Sequence, residues 1–259
     1  MDTRIEDYAY ADNRELTEIQ IPEGTKQIGK HAFYNCRSLH TLQLPHGGIE
    51  IGDGAFKNCR NLSRIILRHG EGDCTCLKDI LYDMYHEVTV SIFYDSGSQA
   101  VLLFPAYQYE YIANEPARIF QEVGYGAGYL YQQCFYDAQV DFRRYDDLWS
   151  HACVSEDPLT LARILSCRLR FPRKLSDHAR TSYMHYLRDH REELLTCYIK
   201  EQDMDTLRYF LEQENTDCTL LSLAIRTAQT LESPGILSYL LDLERRTGSA
   251  PGSTGKFDL

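Results

Sequence analysis

The phrase HAFYNCRSL at 31–39 returns nearly letter for letter as GAFKNCRNL at 54–62, a spacing of 23. A fixed short period constrains architecture directly. Each copy is one unit, too small to bury its own apolar face, and it must stack on its neighbours. Laid against itself at 23, the chain aligns Leu16, Leu39 and Leu62, then Ile19, Leu42 and Ile65, then Ile21, Leu44 and Leu67. Pro22 meets Pro45, Ile28 meets Ile51, Gly29 meets Gly52, Ala32-Phe33 meets Ala55-Phe56, and Asn35-Cys36 meets Asn58-Cys59. One step earlier, Ile5, Ala9-Tyr10 and Asp12-Asn13 fall in the same columns, so the chain is expected to begin partway round a coil.

The L-x-x-L-x-L pattern at this period predicts a leucine-rich solenoid. Each coil is expected to offer a short strand, a Pro/Gly turn (PEGTKQ, PHGGIE) and a return path carrying I-G-x-x-A-F. Alternating apolar residues of the strand point into the stack. The pattern resembles the BspA-like leucine-rich repeats, found widely in bacterial proteins, whose consensus runs roughly I-G-x-x-A-F-x-x-C-x-x-L-x-x-I-x-L-P. The resemblance covers about 5–68. It implies a right-handed solenoid and a binding role, with no reaction and no catalytic residues. Many relatives sit on cell surfaces, so an adhesin whose export signal is missing is one alternative. Cys36 and Cys59 occupy equivalent columns with no nearby His or Cys to complete a tetrahedral metal site. They are expected to be buried thiols, and neither metal nor cofactor is expected.

Two and a half coils need a cap. Over 76–87, Leu77, Ile80, Leu81, Met84 and Tyr85 share a helical face, which predicts a short helix. HEVTVSIFY-DSGS-QAVLLFP then reads as a β-hairpin closed by Pro105. A tyrosine-dense stretch follows, with eleven of the 19 tyrosines between 82 and 145. Two readings of it are open: packing between solenoid and helices, or an aromatic binding surface. GYGAGY at 124–129 lacks the final Gly of G-x-G-x-x-G and reads as a turn.

From about 146 the pattern is helical. DPLTLARIL (157–165), DMDTLRYFL (203–211) and SPGILSYLL (233–241) each open on a helix-starting residue and carry leucines four apart. Further amphipathic segments lie near 177–188, 190–200 and 217–230. This predicts helical hairpins. They look similar to ankyrin-type pairs, although T-P-L-H-x-A is absent. The tail TGSAPGSTGKFDL is expected to be disordered.

The expected fold class is therefore α+β: a short leucine-rich solenoid capped by a β-hairpin unit and joined to an all-α helical-hairpin domain. The expected divisions are 1–70 for the coils, 71–145 for the cap and Tyr-rich bridge, 146–246 for the helical domain and 247–259 for the tail. A formal charge of −11 repels phosphate backbones and argues against nucleic acid as a partner. No apolar run has membrane-spanning length, so no membrane partner is expected. Nine spread cysteines, an odd number, suit reduced thiols and a cytoplasmic location.

Catalytic signatures such as G-x-S-x-G, H-E-x-x-H and D-x-D-x-D-G do not occur. The enzyme alternative rests on His151 and Cys153 near Asp146 and Asp147. The preferred reading is a non-enzymatic scaffold that binds a protein. Its candidate contact set is the outward strand positions Glu18, Thr41 and Arg64, with Gln20, Gln43 and Ile66. A second candidate patch is Arg168, Arg170, Arg173 and Lys174, within a segment (158–191) holding eight basic residues against Asp177 and Asp189.

Overall fold

The computed structural model describes residues 3–69, 76–114, 119–137, 139–213 and 218–248. Cys74 and residues 249–259 of the expected tail lie outside them. The chain divides into two compact units, Met1–Thr181 and Ser182–Leu259.

The first unit opens with about four solenoid turns. Each coil carries two strands rather than the single strand expected. One set is β1 (Thr3–Ile5), β3 (Thr25–Ile28) and β5 (Glu50–Ile51), which pair in parallel in that order. The other is β2 (Glu18–Gln20), β4 (Thr41–Leu44) and β6 (Arg64–His69), also parallel, with Ile19↔Leu42↔Ile65 in register. The second strand lies at T-K-Q-I and E-I, just before each Ile-Gly, where the sequence showed only a turn and a return path.

Between the sheets the repeat columns stack face to face. The rings of Tyr10, Phe33 and Phe56 form a pile, with centroids 5.0 and 5.1 Å apart and planes within 8° of parallel. That spacing is close to the 4.7–4.9 Å between paired strands. The cysteines stack likewise. The Cys36 thiol donates to the Tyr10 carbonyl and the Cys59 thiol to the Phe33 carbonyl, each at 3.0 Å. Burial pushes the Cys59 thiol up to about 12, which marks it as inert filling.

The backbone explains the remaining repeat letters. Tyr8, His31 and Gly54 all have positive φ (59°, 53° and 61°), as do Asp12, Asn35 and Asn58 (61°, 60° and 66°). The second column holds Asp or Asn because these side chains tolerate the left-handed region best after glycine. Gly29 and Gly52 answer a different need. A Cβ on Gly52 would lie 2.5 Å from the Lys30 nitrogen and 2.6 Å from the Gly29 carbonyl carbon. Coils approach backbone to backbone at this column, and only glycine fits.

The helix expected over 76–87 is shorter, α1 (Leu77–Leu81). Residues 82–87 serve the coil instead. The Asp83 carboxylate accepts the Phe56 N–H at 3.2 Å, taking the place that the next coil's carbonyl would occupy. His86 Nε2 lies 2.9 Å from the Leu62 carbonyl. The expected hairpin is β7 (Val88–Tyr94) and β8 (Gln99–Phe104). β7 adds to β6 in parallel, with Ile65↔Val90 and Leu67↔Ile92, and β8 turns back antiparallel. The step from β6 to β7 is thus 25 residues where the earlier steps are 23. That change breaks the 23-residue column although the sheet continues.

Beyond the hairpin, the tyrosine-dense stretch forms a second antiparallel pair, β9 (Gln108–Asn114) with β10 (Ile119–Tyr125). Then come α2 (Gly128–Tyr131) and a small pair, β11 (Phe135–Tyr136) with β12 (Gln139–Val140). Tyr107, Tyr131 and Tyr145 are buried. The Tyr145 hydroxyl donates to the Leu103 carbonyl at 2.6 Å and accepts its N–H at 3.1 Å. Packing with satisfied hydroxyls is the role of Tyr107 and Tyr145. Tyr82, Tyr129 and Tyr136 remain exposed.

Three helices close the first unit's core: α3 (Phe142–Asp147), α4 (Trp149–Ser155) and α5 (Pro158–Arg170), and α5 packs on β8. Asp157 caps α5, accepting from the N–H of Leu159 and Thr160. Helix α6 (Asp177–Asp189) spans the division between the units.

The second unit contains two helical hairpins built alike: α7 (Arg191–Lys200) with α8 (Met204–Gln213), and α9 (Cys218–Thr230) with α10 (Pro234–Gly248). In each, a residue with positive φ precedes the cap: Gln202 (55°) before Asp203, and Glu232 (51°) before Ser233. In each, the cap's own N–H reaches back five residues, Asp203 to Tyr198 O and Ser233 to Ala228 O. The sequence repeat of 30 between these starts is a repeat of turn geometry. Among the described residues no helix is long and apolar enough to cross a membrane.

Candidate functional site

Strand alternation decides what the solenoid shows to solvent. Leu42, Leu44, Ile65 and Leu67 point inward and are at most 3% exposed. Their neighbours form outward columns in exact register: Glu18, Thr41, Arg64 and Thr89, then Gln20, Gln43, Ile66 and Ser91. The six residues expected to share a face therefore do so. Glu18, Gln20 and Arg64 are exposed, and Thr41, Gln43 and Ile66 are half-buried.

A third column extends the site beyond the sequence expectation. Arg68 lies beside Phe93, which is 44% exposed, and next to Pro45 and His46. These residues line a cleft of about 460 Å³ together with Gln20, Gln43 and Ile66. At its rim His46 Nε2 lies 3.0 Å from an Asp95 carboxylate oxygen. The signal for Arg68 and Phe93 was available, since both continue the outward alternation. Phe93 required knowing that β7 follows β6 in the sheet.

The same face is closed further along. Val101 and Leu103 pair with Ser91 and Thr89, have the outward parity, and are 7% and 1% exposed. The sheet is therefore open over β2, β4 and β6 and covered at β8.

The second candidate patch splits in two. Arg168 is fully buried and grips Asp146 with two parallel bonds, Nε to Oδ1 at 2.7 Å and Nη2 to Oδ2 at 2.8 Å. It also donates to the Arg173 carbonyl at 3.1 Å. It anchors the turn after α5 and presents no charge to solvent. Arg170, Arg173 and Lys174 line a separate cleft of about 570 Å³ with Ser98, Gln99 and Phe171. There the Arg173 guanidinium stacks 3.6 Å from the Tyr94 ring centre and donates to Ser98 Oγ.

His151 and Cys153 show no activated thiol. Cys153 is half-buried and burial raises its pKa, opposite to the shift a nucleophilic cysteine needs. His151 is exposed, and its Nδ1 lies 3.4 Å from Ser155 Oγ. In GYGAGY, Gly128 sits against the backbone, where a Cβ would fall 2.1 Å from the Pro105 carbonyl oxygen. Gly126, with φ 86°, has its Cβ site 2.8 Å from the Ala106 carbonyl oxygen, so these two glycines serve close packing, and Glu156 accepts the neighbouring Ala127 N–H. Among the described residues no group of three or more His, Cys, Asp or Glu could hold a metal ion. Seven cysteines (36, 59, 76, 134, 153, 167 and 197) are free thiols.

No curated protein and no solved structure matches this chain. Residues 3–100 match the BspA type Leucine rich repeat region (6 copies), from β1 into β8, and so past the end of the 23-residue period.

Proposed function

We propose that this chain is a non-enzymatic interaction module that holds a protein partner on the outward face of β2, β4 and β6. The contact set is Glu18, Gln20, Thr41, Gln43, Arg64 and Ile66. The observation that carries this reading is the contrast along one sheet: outward residues are buried at β8 and accessible over the three preceding strands. A parallel ladder holds its side chains in fixed register, so a partner meets groups that are already ordered. The formal charge of −11 favours protein over nucleic acid as the partner. Free thiols suit a reducing compartment, which favours the cytoplasm.

The test is affinity capture from the native host with the wild-type chain and with Gln43→Arg/Arg64→Glu. Arg64 is exposed and Gln43 only half-buried, so the double variant is expected to melt close to the wild type and to lose its captured protein. Retained capture by that variant, with loss on reversing Arg170, Arg173 and Lys174, overturns the assignment in favour of the basic cleft.

A further inference from the structure

We infer that the partner segment this face accepts is an extended acidic peptide of the form acid-x-apolar-x-acid, lying along β6 and β7. The inference rests on the docking face proposed above and adds the chemistry of its occupant.

Three observations converge on it. Arg64 and Arg68 lie on the outward side of one strand, both are exposed, and neither has an ion pair or side-chain hydrogen bond among the described residues. Ile66 stands midway between them and Phe93 lies beside Arg68, so the two charges flank the face's apolar surface. The cross-strand neighbours of Arg64 and Ile66 on β7 are Thr89 and Ser91. Beyond those lie Leu103 and Val101, already covered. Small residues, Thr89 and Ser91, thus separate Arg64 and Ile66 from a covered strand, and Phe93 ends that row beside Arg68.

The spacing then sets the ligand. Four residues of strand separate Arg64 from Arg68 by about 13 Å. A second extended chain spans that distance with its own residues i and i+4. Residue i+2 points to the same side and meets Ile66 and Phe93. Carboxylates at i and i+4 complement the two guanidiniums, which favour planar two-oxygen partners. Among the described residues, exposed acidic groups at this face include Glu18 and Glu23, at β2 and just beyond it, and Asp95, which follows β7, shares the cleft with Arg68 and lies against His46, while Glu87 is paired with Arg163. Glu18 and Glu23 set the polarity across the strands, keeping an acidic ligand away from β2 and over β6.

The test uses three synthetic peptides, Ser-Glu-Thr-Leu-Thr-Glu-Ser, its Lys-for-Glu counterpart and its Gln-for-Glu counterpart, each titrated into the full chain by fluorescence anisotropy. The acidic peptide is expected to bind at least tenfold more tightly than the lysine peptide at low salt, and that preference is expected to shrink as salt rises. Arg64→Glu/Arg68→Glu is expected to invert the preference, and Phe93→Ser to weaken the acidic and neutral peptides alike. Equal binding of acidic and lysine peptides, or a preference unchanged by the charge reversal, overturns the inference. Binding of the neutral peptide alone, lost in Gln43→Arg, also overturns the acidic requirement while leaving the docking face in place. If no peptide binds, the inference falls, and the capture experiment above decides the docking face separately.

Discussion

A residue in the solenoid is held from far along the chain, and a residue in the helical hairpins is held from nearby. Phe33 stacks on Tyr10 and Phe56, its N–H reaches the Ala55 carbonyl, and its own carbonyl receives the Cys59 thiol. Asp203, by contrast, is fixed by Thr206 and by Tyr198 O. The first arrangement makes each coil a template for the next, with little tolerance where backbones touch. The second makes each hairpin's turn a separate local device. Intolerance in the solenoid should therefore be steep and concentrated in a few columns, while the hairpins should yield in small, additive steps.

The sharpest break in this comparison is Gly52→Ala. The added methyl meets backbone on the preceding coil rather than a movable side chain. We expect a loss of about 3 kcal/mol in a denaturant titration, the upper range for overpacking. Gly48→Ala, where nothing lies within 4 Å, is the control and should change little. Equal effects at the two glycines would show that the coils are not packed backbone to backbone.

A smaller effect is expected at the cap Asp203. Asp203→Ala removes an acceptor that serves the Thr206 N–H at 3.0 Å and its hydroxyl at 2.5 Å. The loss should be about 1 kcal/mol, typical of a helix cap. Asp203→Asn, which keeps an acceptor, should recover most of it. A loss as large as that at Gly52 would erase the distinction between the two regions.

The smallest effect lies where the solenoid's ladder ends on a side chain. Burial raises the Asp83 pKa, while the Phe56 N–H and Lys57 act to lower it. A carboxyl whose folded pKa is raised binds its proton more tightly in the native state. Its contribution is fully present below the unfolded value, near 3.8, and is lost as pH rises through the folded value. Asp83→Asn keeps an acceptor for Phe56 without the charge. The variant should gain on the wild type in thermal melts between pH 3.5 and 7, by less than about 1 kcal/mol. A gap that does not move with pH would mean that the charge is not what the site resists.

What could be read from the letters follows the same division. The inward and outward columns at 16–67 were legible because a constant period of 23 repeats one geometry. The step of 25 into β7 was not, since α1 replaces the return path and shifts the count. Phe93 and Arg68 were missed as neighbours for that reason. The helical starts at 157, 203 and 233 were legible as caps. The burial of Arg168 was not, because its partner Asp146 lies 22 residues away and no local pattern announces it. A run of basic letters reads as surface until one of them is found paired.

The glycine and left-handed columns carry one more implication. Since equivalent atoms recur every 23 residues, cutting the chain at one column and rejoining it at the next would leave Gly on backbone, Phe on Phe and Cys under carbonyl. Length is then a modular quantity, removable or duplicable by whole rungs of about 4.8 Å. The rungs are alike inside and unlike outside, Thr41 and Gln43 on one, Arg64 and Ile66 on the next. Gene duplication or deletion at this period would rewrite the surface the ladder presents while leaving the way it stands unaltered.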